Sequence, residues 1–417
     1  MDPSPGLTSG FIRVEMKNSR IDHLFDYPFR KLAVLLQGTA PAAGMTPLLM
    51  HLGEPQLPQP GFSDDALAAH GHLWNKYPSA RGTAAFRDAA AGWLTRRFDL
   101  PSGMLEPART LLPLPGTKEG LFQIAQLAVP GPEDWPEGKR PAVLMTNPTY
   151  HVYKGAAVMS GGEPIYVPAT AANNFLPDFE SVGEDVLRRT ALVYLCNPSN
   201  PQGTTADADY LARLVALARR FDFIVAFDEC YTEIYRGHPP TGVLEICARL
   251  GGSLDNIAAF HSLSKRSSGA GLRSGFVVGA PDFIDAFAML RSTGGAVVPL
   301  PILAASTELW RDDRHAAETR AHYKALFDMA ERILGNRTGF YKPPAGFFLW
   351  LDVGDGEEAA RALWRDHAAK TIPGAYFAYP DPQTGENPGK PYIRVALVHD
   401  LDDAEEGLTR IAQYLGA

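Results

Sequence analysis

Residues 191–228, ALVYLCNPSNPQGTTADADYLARLVALARRFDFIVAFD, decide the fold. Two apolar runs, 191–196 and 223–227, flank a polar turn and a segment, 207–221, in which Leu211, Leu214, Val215 and Leu217 recur at helical spacing. Arg213, Arg219 and Arg220 fall outside that apolar stripe, as the solvent side of a surface helix requires. Strand, crossover helix and strand make a βαβ unit. Strands that read as unbroken apolar runs, rather than alternating ones, belong to a parallel sheet covered on both faces. Similar runs at 110–114, 142–146, 164–167, 257–261 and 276–279 bring the total to seven, so the sequence predicts an α/β fold with one large, mostly parallel seven-stranded sheet.

Beyond Pro301 the pattern changes. Residues 303–334 read as one long helix, 346–351 as an apolar strand, 357–369 as a helix and 392–396 as a strand, which together predict a smaller α+β domain. The expected division is therefore 1–50, a segment without a core of its own packing on the small domain; 51–300, the large domain; and 301–417, the small C-terminal domain. Residues 380–391, rich in Pro and Gly, read as a surface loop.

Composition narrows the function classes. A hydrophobic share of 45% and a charged share of 21% are ordinary for a globular chain of 417 residues, which excludes disordered, collagen-like and coiled-coil classes. A net charge of −8 without a Lys/Arg-rich run argues against a nucleic-acid surface. Cys196, Cys230 and Cys247 are too few and too scattered for a disulfide framework or a zinc site, so no metal centre is expected, and Cys196 and Cys230 read as small buried residues. The opening MDPSPGLTSG lacks the charged-then-apolar order of a signal peptide, and the best apolar run, 296–305, is broken by Pro299 and Pro301. A soluble cytoplasmic protein without membrane contact is the expectation.

The polar residues that close the strands carry the chemistry. Lys265, in HSLSKR at 261–266, follows a predicted strand and so stands at a carboxyl end, where α/β sheets bind ligands; a lysine there can form a Schiff base with an aldehyde cofactor. A solvated surface lysine is the plainer alternative. Asp228 closes the apolar run 223–227, which is costly unless a cation such as a pyridinium nitrogen waits for it; a helix cap is the competing reading. Tyr231 and Asn200 can both donate to a ring oxygen of the same ligand, Asn200 from the turn NPSNPQG at 197–203. Gly116, Thr117 and Lys118 open a helix after the first strand, where backbone N–H groups attract phosphate, and Ser262, Ser264 and Arg273 can add charge-assisted bonds. Arg394 interrupts the apolar run 392–396 and suits bidentate capture of a carboxylate, with a structural ion pair as its competitor.

In order and spacing these motifs resemble fold-type I pyridoxal-phosphate aminotransferases of class I/II, over nearly the whole chain. The resemblance implies pyridoxal 5′-phosphate as cofactor, Lys265 as Schiff-base lysine and proton shuttle, Asp228 as partner of the pyridine nitrogen, and Tyr231 and Asn200 as contacts of the ring oxygen. It further implies Tyr150 as the aromatic stacked on the ring, Gly116, Thr117, Ser262, Ser264 and Arg273 as the phosphate cup, and Arg394 as the clamp on the substrate α-carboxylate. Gly53 matches the backbone position beside the substrate, and Tyr77 looks like the tyrosine that reaches a neighbouring subunit's phosphate, which implies a homodimer. Pro115 departs from the hydroxyl or amide residue that many members carry there, removing one phosphate donor.

Within the family, Tyr27 to Phe29, Gly116 to Gly120 and the runs Ser262 to Ser267 and Gly271 to Gly275 are most similar to N-succinyldiaminopimelate aminotransferases of bacterial lysine biosynthesis. An amino acid and a 2-oxo acid are the implied substrates, glutamate the implied donor, and Lys118 the added cation for a succinylated substrate. The alternatives are an aminotransferase for another amino acid such as aspartate, a lyase on the same fold, or a ligand-sensing regulator. The last would need a DNA-binding extension, for which residues 1–50 show neither helix-turn-helix pattern nor basic character.

Overall fold

The computed structural model describes residues 18–24, 27–135, 138–337 and 339–416. The signal-peptide reading of residues 1–10 therefore lies outside the described residues. The βαβ unit forms as its sequence dictates. Asp207 caps the helix Ala208–Phe221 by accepting from the Tyr210 N–H at 2.8 Å, and Asp222 ends it in the left-handed region at φ 55°. Leu211, Leu214 and Val215 are buried against the sheet.

The large sheet has seven strands: β1 (Leu111–Leu114), β2 (Ala142–Asn147), β3 (Glu163–Pro168), β4 (Thr190–Cys196), β5 (Ile224–Asp228), β6 (Ile257–Ser262) and β7 (Gly275–Gly279). Each lies within one residue of its expected bounds. Their order is β1-β7-β6-β5-β4-β2-β3, and β7 runs antiparallel to both β1 and β6 while the rest pair in parallel. A reversed strand between two others leaves β1 pointing the same way as β6. The carboxyl ends of β1, β2, β4, β5 and β6 thus share one edge of the sheet.

The small domain holds an antiparallel sheet in the order β8-β10-β9, from β8 (Phe348–Asp352), β9 (Ile372–Pro373) and β10 (Tyr392–Ala396). Helices Gly356–His367 and Leu401–Tyr414 cover it. Where one helix was expected over 303–334 there are two, Leu300–Arg311 and Arg314–Leu334, broken at Asp312 and Asp313. The first buries Leu303, Leu309 and Trp310 in the core of the large domain, whereas the second buries Tyr323, Leu326 and Phe327 in the core of the small one. The chain thus changes from one core cluster to the other at residues 312–313.

The described part of the N-terminal segment divides in the same way. Leu32 and Leu36, on and just after the helix Pro28–Leu35, pack with Trp350, Ile372 and Phe377, and Leu48 and Met50 join the small-domain core. Arg20 instead donates to the Met159 carbonyl of the large domain at 3.3 Å. No helix among the described residues is long and apolar enough to cross a membrane.

Candidate active site

Because five strands end at one edge, the residues that follow them meet. A single cleft is lined by Thr117, Lys118, Tyr150, Asn200, Asp228 and Tyr231, by Ser262, Ser264, Lys265 and Arg273, and from the small-domain side by Gly53 and Arg394. Every site residue singled out in the sequence faces this cleft except Gly116, which forms its wall through Arg273, and Tyr77, whose side chain is wholly exposed away from it.

The floor is built on β5 and β6. Asp228 is buried, and its Oδ2 accepts from the Tyr153 hydroxyl at 2.7 Å while Oδ1 has no partner. Burial raises its pKa above the usual carboxylate range. The acid therefore does close an apolar strand at a cost, with one oxygen left for a donor from the cleft. Lys265 sits opposite. Its Nζ donates to the Gly53 carbonyl at 2.6 Å and stands 5.9 Å from the Tyr231 ring centre and 5.0 Å from that of Phe347. Burial, with Arg394 adding to it, pushes its pKa down to about 8.

The wall between β1 and the helix Thr117–Ala128 is an anion cradle. Gly116 adopts φ +79°, and a Cβ on it would overlap the guanidinium of Arg273, so only glycine brings that cation against the helix N-terminus. Arg273 is anchored through Nη1 to the Ala270 carbonyl at 2.9 Å and through Nη2 to the Pro115 carbonyl at 3.4 Å. Thr117 Oγ1 lies 3.1 Å from Cys230 Sγ, and Ser262 Oγ accepts from the Ser264 N–H at 3.1 Å, which leaves the serine hydroxyl hydrogen to donate into the cleft.

Arg394 projects from β10 into the cleft between Phe348 and Phe377, 4.2 and 4.4 Å from their ring centres. Its Nη1 donates to Asn200 Oδ1 at 3.2 Å and its Nη2 to the His51 carbonyl at 2.9 Å, while Nε has no partner. Among the described residues no carboxylate pairs with it, which does not support the structural ion-pair reading. Since Asn200 spends its oxygen on Arg394, its amide hydrogens remain for the cleft.

A run of backbone joins these parts. The Met50 carbonyl accepts from Ala396 N of β10 at 2.7 Å, the His51 carbonyl from Arg394 at 2.9 Å, and the Gly53 carbonyl from Lys265 at 2.6 Å.

Sequence reasoning missed several contributors. Tyr153 stands one helical turn beyond Tyr150, so the i, i+3 spacing could have flagged it; its partner Asp228 is 75 residues away and gave no local signal. Behind the floor, Glu229 and His261 form a second buried pair, with Oε2 and Nε2 3.4 Å apart. The Glu229 Oε1 accepts from Val243 N at 2.7 Å. Burial pushes Glu229 up to about 8 and His261 down to about 3, so both are uncharged at neutral pH.

Chemically the cleft presents an activated amine, a half-satisfied buried carboxylate, an anion cradle and a free guanidinium edge. That set suits a ligand with an aldehyde, a basic ring nitrogen and a phosphate, and a substrate with a carboxylate. The comparisons with known proteins agree. The model of the family "Aminotransferase class I and II" matches residues 54–411. An LL-diaminopimelate aminotransferase of Syntrophobacter fumaroxidans is 32% identical over 406 residues, 95% of this chain and 98% of its own. The crystal structure of an aminotransferase from Neisseria meningitidis superposes with a TM-score of 0.89 at 36% identity, covering 95% of this chain and 99% of that one. A probable N-succinyldiaminopimelate aminotransferase from Thermus thermophilus, at 23% identity and TM-score 0.77 over 95% of this chain and 100% of that one, shares the fold. The chain belongs to the class I and II aminotransferases, enzymes that depend on pyridoxal phosphate.

Proposed function

We propose that this enzyme moves an amino group between glutamate and N-succinyl-2-amino-6-oxopimelate, giving N-succinyl-LL-2,6-diaminopimelate, as a cytoplasmic step of lysine biosynthesis. The observation that carries the chemistry is the meeting of Lys265, Asp228 and Arg394 in one cleft. The donor set fits pyridoxal phosphate: the orphaned Asp228 Oδ1 suits the ring nitrogen, and the Gly116–Arg273 cradle suits the phosphate. When bound, that cofactor supplies an aldehyde and an electron-accepting ring.

In this reading Asp228 keeps the ring nitrogen protonated, and Tyr153 fixes the carboxylate through its other oxygen. Tyr231 and Asn200 donate to the ring oxygen, Tyr150 covers one face, and Gly116, Thr117, Lys118, Ser262, Ser264 and Arg273 hold the phosphate. Arg394 grips the substrate α-carboxylate with the edge that its own partners leave free, beside Gly53. Lys265 Nζ would hold the aldehyde when the cofactor is bound, and as a free amine would carry the proton between the substrate α-carbon and the cofactor's aldehyde carbon. The unit is a homodimer in which Tyr77 completes the phosphate site of the other subunit.

The succinylated substrate is supported by charge. Asp228 is the one acid among the described residues lining the cleft, whereas Lys118, Lys265, Arg273 and Arg394 are cations. An N-succinyl group removes a distal ammonium and adds a carboxylate, which suits such a lining. Unsubstituted LL-diaminopimelate is the second reading, favoured by the name of the Syntrophobacter relative.

Absorbance of the purified protein, followed through additions of glutamate and then the succinylated oxo acid, tests the proposal. Conversion of the pyridoxal band to the pyridoxamine form, and its return with the oxo acid, is the expected result. Return only with the cyclic oxo acid related to LL-diaminopimelate moves the substrate to the second reading. Product released from one substrate without any oxo acid replaces transfer by lyase chemistry. Lys265→Ala should lose the band's lysine linkage and all turnover, and a variant that retains both refutes the role of Lys265.

A further inference from the structure

The two residues after Lys265 enter the protein interior: Arg266 is 2% exposed and Ser267 1%. The Arg266 guanidinium lies by the indoles of Trp93 and Trp310, 5.6 and 5.3 Å from their ring centres. Its Nη1 donates to the Leu309 carbonyl at 2.6 Å, and its Nη2 to the Asp312 carbonyl at 3.0 Å and to Asp313 Oδ1 at 2.8 Å. These acceptors end the helix Leu300–Arg311 and span the break before the helix Arg314–Leu334, the place where the chain leaves one core for the other.

His315 completes the arrangement. Its Nδ1 is 2.6 Å from Asp312 Oδ1, an oxygen that also accepts the His315 backbone N–H at 2.9 Å. Burial and Arg266 hold the His315 pKa below its ordinary value and Asp312 is held below the carboxylate range, so the carboxylate can only accept and Nδ1 carries the proton. Nε2 is then an acceptor, 2.8 Å from Ser267 Oγ and 3.2 Å from Arg266 Nη1.

Ser267, His315 and Asp312 have the connectivity of a hydrolytic relay, but they cannot act as one. The serine is buried, and the nitrogen that would serve as its base already faces a guanidinium. The same bonds instead make a fastening. A planar fork offers donors in two directions at once, and its bonds to Leu309, Asp312 and Asp313, beside the paired indoles, hold it against rotation.

We propose that Arg266, with Ser267 and His315, is a latch that positions the Lys265 turn against the junction of the two domains, which makes Arg266 a positioning residue for amino-group transfer. The small domain carries Arg394, and the turn carries Lys265, so the latch fixes the reacting amine relative to the domain that holds the substrate. The inference rests on the reading of Lys265 given above.

The test uses the pyridoxal-phosphate-loaded protein and variants R266M, R266K, S267A and D313N. Two quantities are read: the rate of band conversion at saturating glutamate set against the glutamate dissociation constant, and the midpoint of the pH titration of the bound-cofactor absorbance. R266M should slow conversion about tenfold or more while glutamate affinity stays within about threefold, and should shift the midpoint. R266K, which lacks the fork, should not rescue it. D313N, which keeps an oxygen acceptor but removes the charge that strengthens its bond to Arg266, should give a smaller loss in the same direction. Conversion within about twofold of wild type in both R266M and D313N overturns the latch. So does a loss fully explained by failure to retain cofactor. If R266M does not fold, S267A and D313N decide on the same criteria. A wild-type band that persists in Lys265→Ala marks failure of the lysine reading itself and removes the latch with it.

Discussion

An amine walled by aromatic rings and facing a second cation gives up its proton early. Lys265 has Tyr231 and Phe347 beside it and Arg394 across the cleft, and its pKa falls from 10.5 to about 8. The neutral form is the one that attacks an aldehyde, so uptake of pyridoxal phosphate by the cofactor-free protein should accelerate with pH and level off above a midpoint near 8, not near 10.5. Rapid-mixing absorbance across pH 6 to 10 checks this; a rate still climbing steeply at the alkaline limit contradicts it. At this scale the sequence was informative wherever a polar residue interrupts an apolar run, as Asp228 and Arg394 do. It gave no sign of the contacts Tyr153–Asp228 and His315–Ser267, because only folding brings those partners near.

Elements were legible to the extent that burial leaves a linear trace. Strands covered on both faces, such as β4 and β5, show as unbroken apolar runs. Direction leaves no such trace, and nothing in Phe276 to Gly279 says that β7 runs against its neighbours. The break at Asp312 and Asp313 was equally hidden, since two acids inside a charged helical pattern look like its solvent face until Arg266 binds them. Between β5 and β6 the Glu229–His261 pair yields a prediction. Glu229 Oε1 accepts from Val243 N, which a glutamine oxygen can also do, and Oε2, 3.4 Å from His261 Nε2, has no hydrogen-bond partner among the described residues, so Glu229→Gln should cost under about 1 kcal/mol at pH 6. The folded-state pKa of Glu229 is raised, from 4.5 to about 8, so its contribution is fully present below 4.5 and is lost as pH rises through 8. The glutamine carries no such loss. Melting curves at pH 6 and pH 9 should therefore show the variant gaining on wild type at the higher pH, and a constant difference would place the Glu229 carboxyl in its charged form.

At the scale of the whole molecule, one feature points outward. Tyr77 is wholly exposed and Trp74 is 59% exposed, and neither lines the cleft that holds Thr117, Ser262 and Arg273. If each subunit lends Tyr77 to the other, a variant lacking the tyrosine and a variant lacking Lys265 have complementary defects. Dissociating and reassociating Tyr77→Ala with Lys265→Ala should regenerate sites with both residues intact, and activity should exceed that of either variant alone. No recovery on mixing counts against the shared site. A smaller unit was readable from the change of pattern after Pro301, but the sequence did not show that Leu303 and Trp310 pack with the large sheet, because they are as apolar as the residues of the other core.

The backbone from Met50 to Gly53 gives the enzyme an internal measure of length. Its carbonyls meet β10, Arg394 and Lys265 in succession. The span between the Arg394 guanidinium and the Lys265 amine is thus set in part by a count of peptide units, each about 3.3–3.6 Å when extended. The residue count of this stretch is therefore constrained: one unit more or fewer shifts Arg394 relative to Lys265 by about one such length, enough to offer the amine the wrong carbon of a ligand held at Arg394.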